Sequence, residues 1–267
     1  MLTTKNLYSG YNNIDVIKNI NLETRRGEVL AVIGPNGCGK TTLLRTLSRL
    51  LPYRGQIFLE ASESGSPLAN TEISSIPRKD LARKIALLAQ TGGIYFPYTV
   101  YDTAALGRFS HSTSFFKNLS AGDKEVIRRV LERLGLWEVR ERLINELSGG
   151  QLQRVFLART LVQNPDIVLL DEPTNHLDLK HQIELLEYLS LWAKENGRTV
   201  IAVLHDLNLA LRYADKAVLM REGEIVCSGK CGTVLSGEIL EKTYGLDIKA
   251  FMLESLDMWR DLSIHKD

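Results

Sequence analysis

The sequence predicts an α/β fold with an added antiparallel β subdomain and an inserted α-helical subdomain. Three apolar runs, at residues 29–33, 85–89 and 166–170, have the length and composition of buried strands. The first run leads through a glycine-rich turn into the helical pattern of residues 43–47. Residues 91–162 carry helical patterns instead, so they are predicted to form a lobe inserted into the α/β core.

The composition is that of a folded globular protein. Among 267 residues, 44% are hydrophobic and 24% are charged, which argues against disorder. The formal net charge of +1 offers no basic surplus to attract a nucleic-acid backbone, so no nucleic-acid partner is predicted. No segment approaches the roughly 20 apolar residues that span a bilayer, and the first residues do not have the pattern of a secretory signal. We therefore expect the chain to be cytosolic, or attached to a membrane only through a partner.

The first part of the chain is predicted to form a small antiparallel sheet. Residues 2–7 and 16–22 alternate apolar and polar side chains as half-buried strands do, and residues 55–59 have the pattern of another strand. Tyr11 lies in a glycine- and asparagine-rich loop between the first two strands. The ring of Tyr11 is interpreted either as one that stacks on a nucleobase or as one that packs within the protein.

Residues 34–42 have the spacing of a phosphate-binding loop, G-x-x-x-x-G-K-T, between a strand and a helix. Glycines allow successive backbone N–H groups to point at one anion, and the N-terminus of the following helix adds unpaired donors. Lys40 would place a cation on the β- and γ-phosphates, while the Thr41 hydroxyl would face a phosphate-bridging Mg²⁺. The predicted contacts are Gly34, Pro35, Asn36, Gly37, Cys38, Gly39, Lys40, Thr41 and Thr42. The segment therefore predicts a nucleotide-binding protein.

Three further segments follow this loop in the sequence. Residues 61–78 are predicted to be a polar surface loop. Gln90 ends a core strand, either as a solvated terminus or as a ligand of the metal or of the attacking water. The aromatic cluster of Tyr95, Phe96 and Tyr98 fits a partner-binding surface and the core of the helical lobe equally well.

A serine–glycine turn opens the last helix of the predicted lobe. It follows the amphipathic pattern of residues 121–134, and Ser148 is a good N-cap. Gly149 and Gly150 are unfavourable just inside a helix, so close backbone approach is expected, with an anion as the natural candidate. Because Lys40 already accounts for one phosphate site, two such sites suggest that one nucleotide is held between two copies of the chain.

Two carboxylates and a histidine follow two further buried strands. Asp171 suits Mg²⁺ coordination, directly or through water. Glu172 would project to the opposite side and polarise a water for in-line attack on the γ-phosphorus. His205 follows the apolar run 199–204, at the sheet edge where α/β folds bind ligands, so it is predicted to hydrogen-bond the γ-phosphate.

Taken in order, these motifs resemble the ATP-binding cassette (ABC) ATPases over nearly the whole chain. The residues that carry the resemblance are the phosphate loop, Gln90, residues 147–151 (the signature motif), residues 167–172, Leu177-Asp178 and His205. The resemblance implies a P-loop NTPase (RecA-like) core with ATP and Mg²⁺ as cofactors. It also implies a head-to-tail homodimer, in which the signature turn of one copy covers the ATP held by Lys40 of the other.

The resemblance further implies the roles of single residues. Tyr11 matches the aromatic that stacks on adenine, and Asp178 matches the loop that crosses the dimer axis. Gln90 matches the loop that links the Mg²⁺ and water site to the membrane partner. The implied catalytic residues are Glu172 as general base, His205 as γ-phosphate sensor, Gln90 and Lys40. The implied metal ligands are Thr41, Gln90 and Asp171, and the implied nucleotide contacts are Tyr11, residues 34–42, Ser148, Gly149, Gly150, Gln151 and Asp178.

The resemblance implies a single ABC ATPase domain over residues 1–267. Its nucleotide-binding core, with the β subdomain, would comprise residues 1–90 and 163–240. The helical signature subdomain would comprise residues 91–162, and a C-terminal tail would comprise residues 241–267.

Looser patterns at residues 100–108 and 174–179 are similar to the ATPases of importers for iron–siderophore complexes, haem and cobalamin. This implies integral-membrane permease subunits, an extracytoplasmic substrate-binding protein behind them, and a peripheral location at the cytoplasmic face of the cell membrane. Two rivals are a GTP-dependent switch, suggested by N-H-L-D at residues 175–178, and a soluble ABC protein acting on nucleic acid or ribosomes. Histidine in place of lysine argues against the first, and the lack of tandem cassettes or basic arms argues against the second.

Overall fold

The structure is a computed structural model that describes residues 1–60, 71–89, 97–111, 119–236 and 238–262. Its strands are β1 (Leu2–Tyr11), β2 (Ile14–Glu23), β3 (Val29–Ile33), β4 (Tyr53–Leu59), β5 (Thr71–Glu72), β6 (Ile85–Leu88), β7 (Ile167–Leu170), β8 (Thr199–Val203), β9 (Lys216–Arg221) and β10 (Glu224–Lys230). Its α-helices are α1 (Lys40–Leu47), α2 (Arg78–Lys84), α3 (Val100–Ala105), α4 (Ala121–Arg133), α5 (Gly149–Val162), α6 (Leu179–Asn196), α7 (Leu207–Tyr213), α8 (Cys231–Leu235), α9 (Glu238–Tyr244) and α10 (Ile248–Leu262).

The larger sheet has the strand order β10-β9-β3-β8-β7-β6. Its strands are parallel except for the edge strand β10, which is antiparallel to β9. Every residue of β3, β7 and β8 is buried, as expected for central strands with both faces covered. Because parallel strands share one direction, the segments that follow β3, β7 and β8 come to the same edge of the sheet.

The smaller sheet has the order β2-β1-β4-β5 and is antiparallel, as the sequence predicts. Leu7 of β1 and Ile20 of β2 share one buried cluster with Leu43 and Leu44 of α1 and with Val32 of β3. The helix that follows the phosphate loop is therefore packed against both sheets, and this packing fixes its direction.

Helices α3, α4 and α5 form the helical lobe. Ile127 and Leu131 of α4 are buried in one continuous cluster with Val155 of α5 and with Ala31 of β3. The apolar face predicted for residues 121–134 is thus the face that packs. The lobe is joined to the core by shared side-chain packing, which positions the start of α5 relative to the core sheet.

Two segments differ from the sequence prediction. The prediction of a polar loop over residues 61–78 is wrong from residue 71 onward, because β5 pairs with β4 there and α2 begins at Arg78. Glu72 ties this segment to β4, since its carboxylate accepts hydrogen bonds from Tyr53 Oη (2.8 Å) and from the backbone N–H of Ser74 (2.7 Å). The stretch expected to be a C-terminal tail contains the end of α9 and the 15 residues of α10.

Across the described part of the chain, no helix combines the length and the apolar character needed to cross a bilayer.

Candidate nucleotide-binding site

The phosphate loop connects β3 to α1 and lies close to neighbouring strands. Gly39, directly before α1, has a φ of 102°, a left-handed conformation that favours glycine. At Gly34, a Cβ atom would lie 2.3 Å from the carbonyl oxygen of Met220 in β9, so a larger residue does not fit without a shift. No side chain caps the start of α1. Its first N–H groups and the positive end of its dipole are therefore available to a phosphate.

Lys40 holds its cation inside this loop. The residue is 6% exposed, and its Nζ donates hydrogen bonds to the carbonyl oxygens of Gly34 (2.7 Å) and Pro35 (2.9 Å). A buried ammonium needs such acceptors because an unpaired charge is costly away from water. Both acceptors are neutral, so the loop keeps a positive charge that suits a polyphosphate.

Thr41 and Asp171 bring two oxygen ligands together at the sheet edge. Thr41 Oγ1 donates a hydrogen bond to Asp171 Oδ1 (3.2 Å), which joins the start of α1 to the end of β7. Asp171 is 2% exposed, and burial raises the pKa of its carboxyl, with the hydrogen bond from Thr41 opposing the rise. A cation beside this carboxylate would relieve the cost of burying it.

This pair of oxygens fits Mg²⁺. Hydroxyl and carboxylate oxygens are hard ligands, and Mg²⁺ is usually bound by one or two carboxylates together with water and substrate phosphates. In the parts of the chain that the structure describes, no group of three or more His, Cys, Asp or Glu side chains forms a metal site by itself. A Mg²⁺ ion at this pair would take its remaining ligands from water and from the phosphates of a nucleotide.

Glu172 directly follows Asp171, and it lies together with His205 at the same sheet edge. His205 Nε2 donates a hydrogen bond to Glu172 Oε1 (2.7 Å), and Asn175 Nδ2 donates to Glu172 Oε2. Glu172 has a φ of 53°, which is uncommon for a residue with a side chain and is typical of functional sites. The sequence predicts that both residues act on the γ-phosphate, and the structure adds that they contact each other.

The signature turn begins α5 and is solvent-exposed. Ser148 Oγ accepts a hydrogen bond from Gln151 N (3.3 Å), and Gln151 Oε1 accepts one from Ser148 N (3.1 Å), which together form a capping box. A Cβ atom on Gly150 would lie 3.2 Å from the carbonyl oxygen of His176. The close backbone approach expected at these glycines is therefore a contact with residues 176–177 of the same chain.

Other predicted contacts surround the loop. Tyr11 ends β1, is 40% exposed, and its Oη accepts a hydrogen bond from Arg45 Nη1 of α1 (3.3 Å). Cys38 is 4% exposed, and burial raises the pKa of its thiol. Asn36 and Gly37 are exposed, whereas Thr42 is buried.

Asp178 is the N-cap of α6, and its Oδ1 accepts hydrogen bonds from His181 N (2.9 Å) and His181 Nδ1 (2.8 Å). These bonds lower the pKa of the Asp178 carboxyl. Gln90 lies outside the described residues, as do Tyr95 and Phe96. Tyr98 is 44% exposed.

Two contacts of the site were missed by sequence reasoning. Asn175 holds the second carboxylate oxygen of Glu172, and Arg45 holds the hydroxyl of Tyr11. A signal existed for Asn175, which is polar and lies three residues after Glu172. No signal pointed to Arg45, because its contact depends on how α1 lies beside β1.

Known proteins resemble this chain over most of its length. The sequence profile described as ABC transporter matches residues 17–175. The ferric enterobactin transport ATP-binding protein FepC of Escherichia coli (strain K12) is 41% identical over 92% of this chain and 87% of its own. The iron(3+)-hydroxamate import ATP-binding protein FhuC of Bacillus subtilis (strain 168) is 36% identical over 92% of this chain and 88% of its own.

The fold is similar to that of a solved ATP-binding cassette, MJ0796, in a dimeric post-hydrolysis state bound to ADP and Pi. The TM-score is 0.73 at 28% identity, covering 86% of this chain and 99% of that one. The predicted fold class and family are confirmed by these similarities. The chain therefore belongs to the ABC transporter family and is an ATPase of that family.

Proposed function

We propose that this chain is the ATP-hydrolysing subunit of an importer for a metal chelate, such as an iron–siderophore complex, haem or cobalamin. The substrate class is supported by the names of the E. coli and B. subtilis relatives, one for ferric enterobactin and one for iron(3+)-hydroxamate. A separate membrane permease would hold the chain at the cytoplasmic face of the membrane, and an extracytoplasmic binding protein would deliver the chelate to that permease.

One observation carries the proposed chemistry. The Thr41–Asp171 pair and the Glu172–His205 pair lie side by side at the end of β7, next to the buried Lys40. Phosphoryl transfer needs mainly positioning and charge stabilisation, and these residues supply both. When Mg²⁺ is bound, it neutralises charge on the β- and γ-phosphates. Thr41 and Asp171 would hold it, with Gln90 as a further proposed ligand.

The residues of the chain have separate roles in this proposal. The phosphate-loop N–H groups and Lys40 bind the β- and γ-phosphates, and Tyr11 stacks on the adenine. Glu172 orients the attacking water and takes its proton, while His205 holds Glu172 and the γ-phosphate in register.

Two copies are proposed to close over each ATP. Ser148 and Gly149 are exposed at an N-terminal helix end and therefore present N–H donors outward. In a head-to-tail dimer, this turn would reach the γ-phosphate bound by the second copy, with Asp178 near the dimer axis. The dimeric state of the similar cassette MJ0796 supports this arrangement.

The substitution Glu172→Gln tests the proposed chemistry. It keeps the shape of the side chain and removes the base, so we expect ATP binding to persist while turnover falls roughly hundredfold or more. The variant should accumulate as a dimer in Mg-ATP, measured by sedimentation velocity. Glu224→Gln, at an exposed position on β10, is the matched control and should keep full turnover. Normal turnover in the Glu172 variant would contradict the assignment of the base.

The substrate class has its own test. Cells that carry Glu172→Gln in place of the natural chain should lose uptake of one labelled metal chelate, among a siderophore complex, haem and cobalamin, while keeping amino-acid and sugar uptake. Unchanged uptake of siderophore, haem and cobalamin alike would contradict metal-chelate import and leave the ATPase assignment intact.

A further inference from the structure

The last helix carries several exposed apolar side chains, and three of them lie on one side of it. Phe251, Met258 and Trp259 are 58%, 71% and 73% exposed. Their spacing of i, i+7 and i+8 places them on one side of α10, and we call these three residues the α10 stripe. Exposed apolar groups gathered in this way mark a surface that binds a protein or a membrane.

The stripe is uncovered because α10 extends past the body of the protein. Ile248, Met252 and Trp259 share one face of the helix by their spacing of four and seven residues. Ile248 packs against the core cluster, and Met252 Sδ accepts a hydrogen bond from Asn208 Nδ2 at 3.6 Å. Trp259, two turns further on, is 73% exposed. The last two turns of α10 therefore project with their inner face bare.

The projecting turns begin beside the candidate site. Asn208 belongs to the first turn of α7, and α7 is capped by Asp206, which directly follows His205. Next to this attachment, Leu211 is 53% exposed, and Arg212 is exposed beside it. The helix to which α10 is attached therefore begins directly after His205, at the sheet edge that the proposed dimer presents to a second copy.

Charge favours a second copy over a lipid surface. Glu254 lies at the border of the stripe, one turn from Phe251 and from Met258, and it faces solvent. Asp257 is paired with Arg260 at 3.0 Å, so the projecting turns carry no basic surplus. A helix that binds an anionic membrane needs such a surplus. An acidic border instead complements a basic side chain such as Arg212.

We propose that the α10 stripe of each copy packs on the exposed Leu211–Arg212 face of α7 in a second copy. The contact is made twice across the two-fold axis. It rests on the proposed head-to-tail dimer and extends it. The projecting turns are short, and stable interfaces bury about 800 Å² on each partner. The contact therefore strengthens the ATP-bound dimer and does not replace the ATP-bridged interface.

The test uses the full-length Glu172→Gln protein in Mg-ATP. In this background, the double change Phe251→Ala and Trp259→Ala should weaken dimerisation roughly tenfold by sedimentation velocity, since truncating central apolar anchors costs that much or more. Leu253→Ala is the matched control, because Leu253 is 52% exposed on the opposite face of the same helix. It should leave dimerisation unchanged, and all three proteins should bind ATP equally as monomers.

A second readout reports on Trp259 directly. Comparison with the Trp259→Phe protein isolates its emission, which should shift to the blue and resist acrylamide quenching when ATP forms the dimer. A dimer in which Trp259 stays quenchable and the stripe variant equals its control would overturn this inference and leave the proposed function standing. Failure of the Glu172→Gln protein to dimerise at all would overturn both. Protection of Trp259 by phosphatidylglycerol vesicles, and not by ATP, would replace the second copy with a membrane.

Discussion

The phosphate loop and the signature turn both present the N-terminus of a helix, but only the loop has a buried lysine and a buried aspartate beside that helix. At the loop, Lys40 and Asp171 are almost fully buried. Lys40 donates to two carbonyl oxygens of the loop, and Asp171 accepts a hydrogen bond from Thr41 of α1. At the turn, Ser148 and Gly149 are exposed, and Ser148 is bonded to Gln151 within its own helix. Both segments are thus helix N-termini, and they differ in the contacts that surround them.

This difference indicates what a second copy would add to the proposed site. The loop has its cation, its N–H donors and its proposed metal ligands within one chain, so we expect a monomer to bind ATP. The turn offers N–H donors and no cation, so it adds binding energy only when another molecule brings a phosphate to it. Binding and hydrolysis should therefore respond differently to damage at the two sites.

The largest effect is expected from Lys40→Ala. Removing a buried charge contact costs about 2–5 kcal/mol, so ATP binding by the monomer should weaken roughly hundredfold and hydrolysis should be lost. Binding of a fluorescent ATP analogue measures this. Lys124→Ala, which changes an exposed lysine on α4, should bind as the natural chain does. Equal affinity for ATP in the Lys40 variant would mean that the loop is not the phosphate site.

A smaller effect with a different signature is expected from Ser148→Arg. The bulky side chain would block the turn without touching the loop, so ATP affinity of the monomer should stay within about twofold. Turnover should fall at least tenfold, because removing donors that act on the transition state costs about 2–4 kcal/mol. Reduced ATP affinity in the isolated monomer would contradict the separation of the two sites.

Mixing the two variants makes the comparison sharper. A dimer of one Lys40→Ala chain and one Ser148→Arg chain has one site with both residues intact and one site with both changed. Hydrolysis should therefore reappear in the mixture of two proteins that are inactive alone. A mixture that stays inactive, although sedimentation detects mixed dimers, would argue against a site shared between copies.

The phosphate side of the site was predictable because its chemistry is local. The spacing of residues 34–42 and the acids that end an apolar strand can be read from the sequence, and the structure brings Thr41 and Asp171 within 3.2 Å. Parallel pairing of β7 with β8 then accounts for the meeting of Glu172 and His205, since both follow strands of one sheet. The direction of the strands alone predicts that these two residues lie at the same edge of the sheet.

Other features depend on packing between distant segments, which periodicity does not encode. Gly150 is predicted to approach an anion, which stays a prediction, and the structure adds that it lies against the carbonyl oxygen of His176 in the same chain. Residues 71–78 have loop-like composition, yet the carboxylate of Glu72 organises them. The helix α10 lies where the sequence analysis predicts a C-terminal tail. The assignments of Gln90, Glu172 and His205 to catalysis remain predictions.

The smallest effect concerns a contact inside the helical lobe that carries the signature turn. Asp123 accepts a hydrogen bond from Arg108 Nε (2.7 Å) and closes a capping box with Ser120 at the start of α4. Arg108 also donates to the carbonyl oxygen of Val162, at the end of α5 (3.0 Å). The substitution Asp123→Asn should therefore lower the free energy of unfolding by about 1–2 kcal/mol at pH 7, the range found for lost helix caps. Asp80→Asn, which removes an exposed pair with Arg83, should cost less than about 0.5 kcal/mol.

The pH dependence of this defect gives the stricter check. Hydrogen bonding from Ser120, and then from Arg108, lowers the pKa of Asp123 below its ordinary value of 3.8. A group with a lowered folded pKa contributes stability above its unfolded pKa and loses that contribution as the pH falls through the folded value. The difference in urea midpoint between Asp123→Asn and the natural chain should thus be full at pH 7 and shrink below about pH 4.

ATP affinity of the monomer at pH 7 should be equal in both, because the phosphate loop does not depend on this contact. A variant that lost ATP affinity along with stability would mean that the lobe supports the loop as well as the turn.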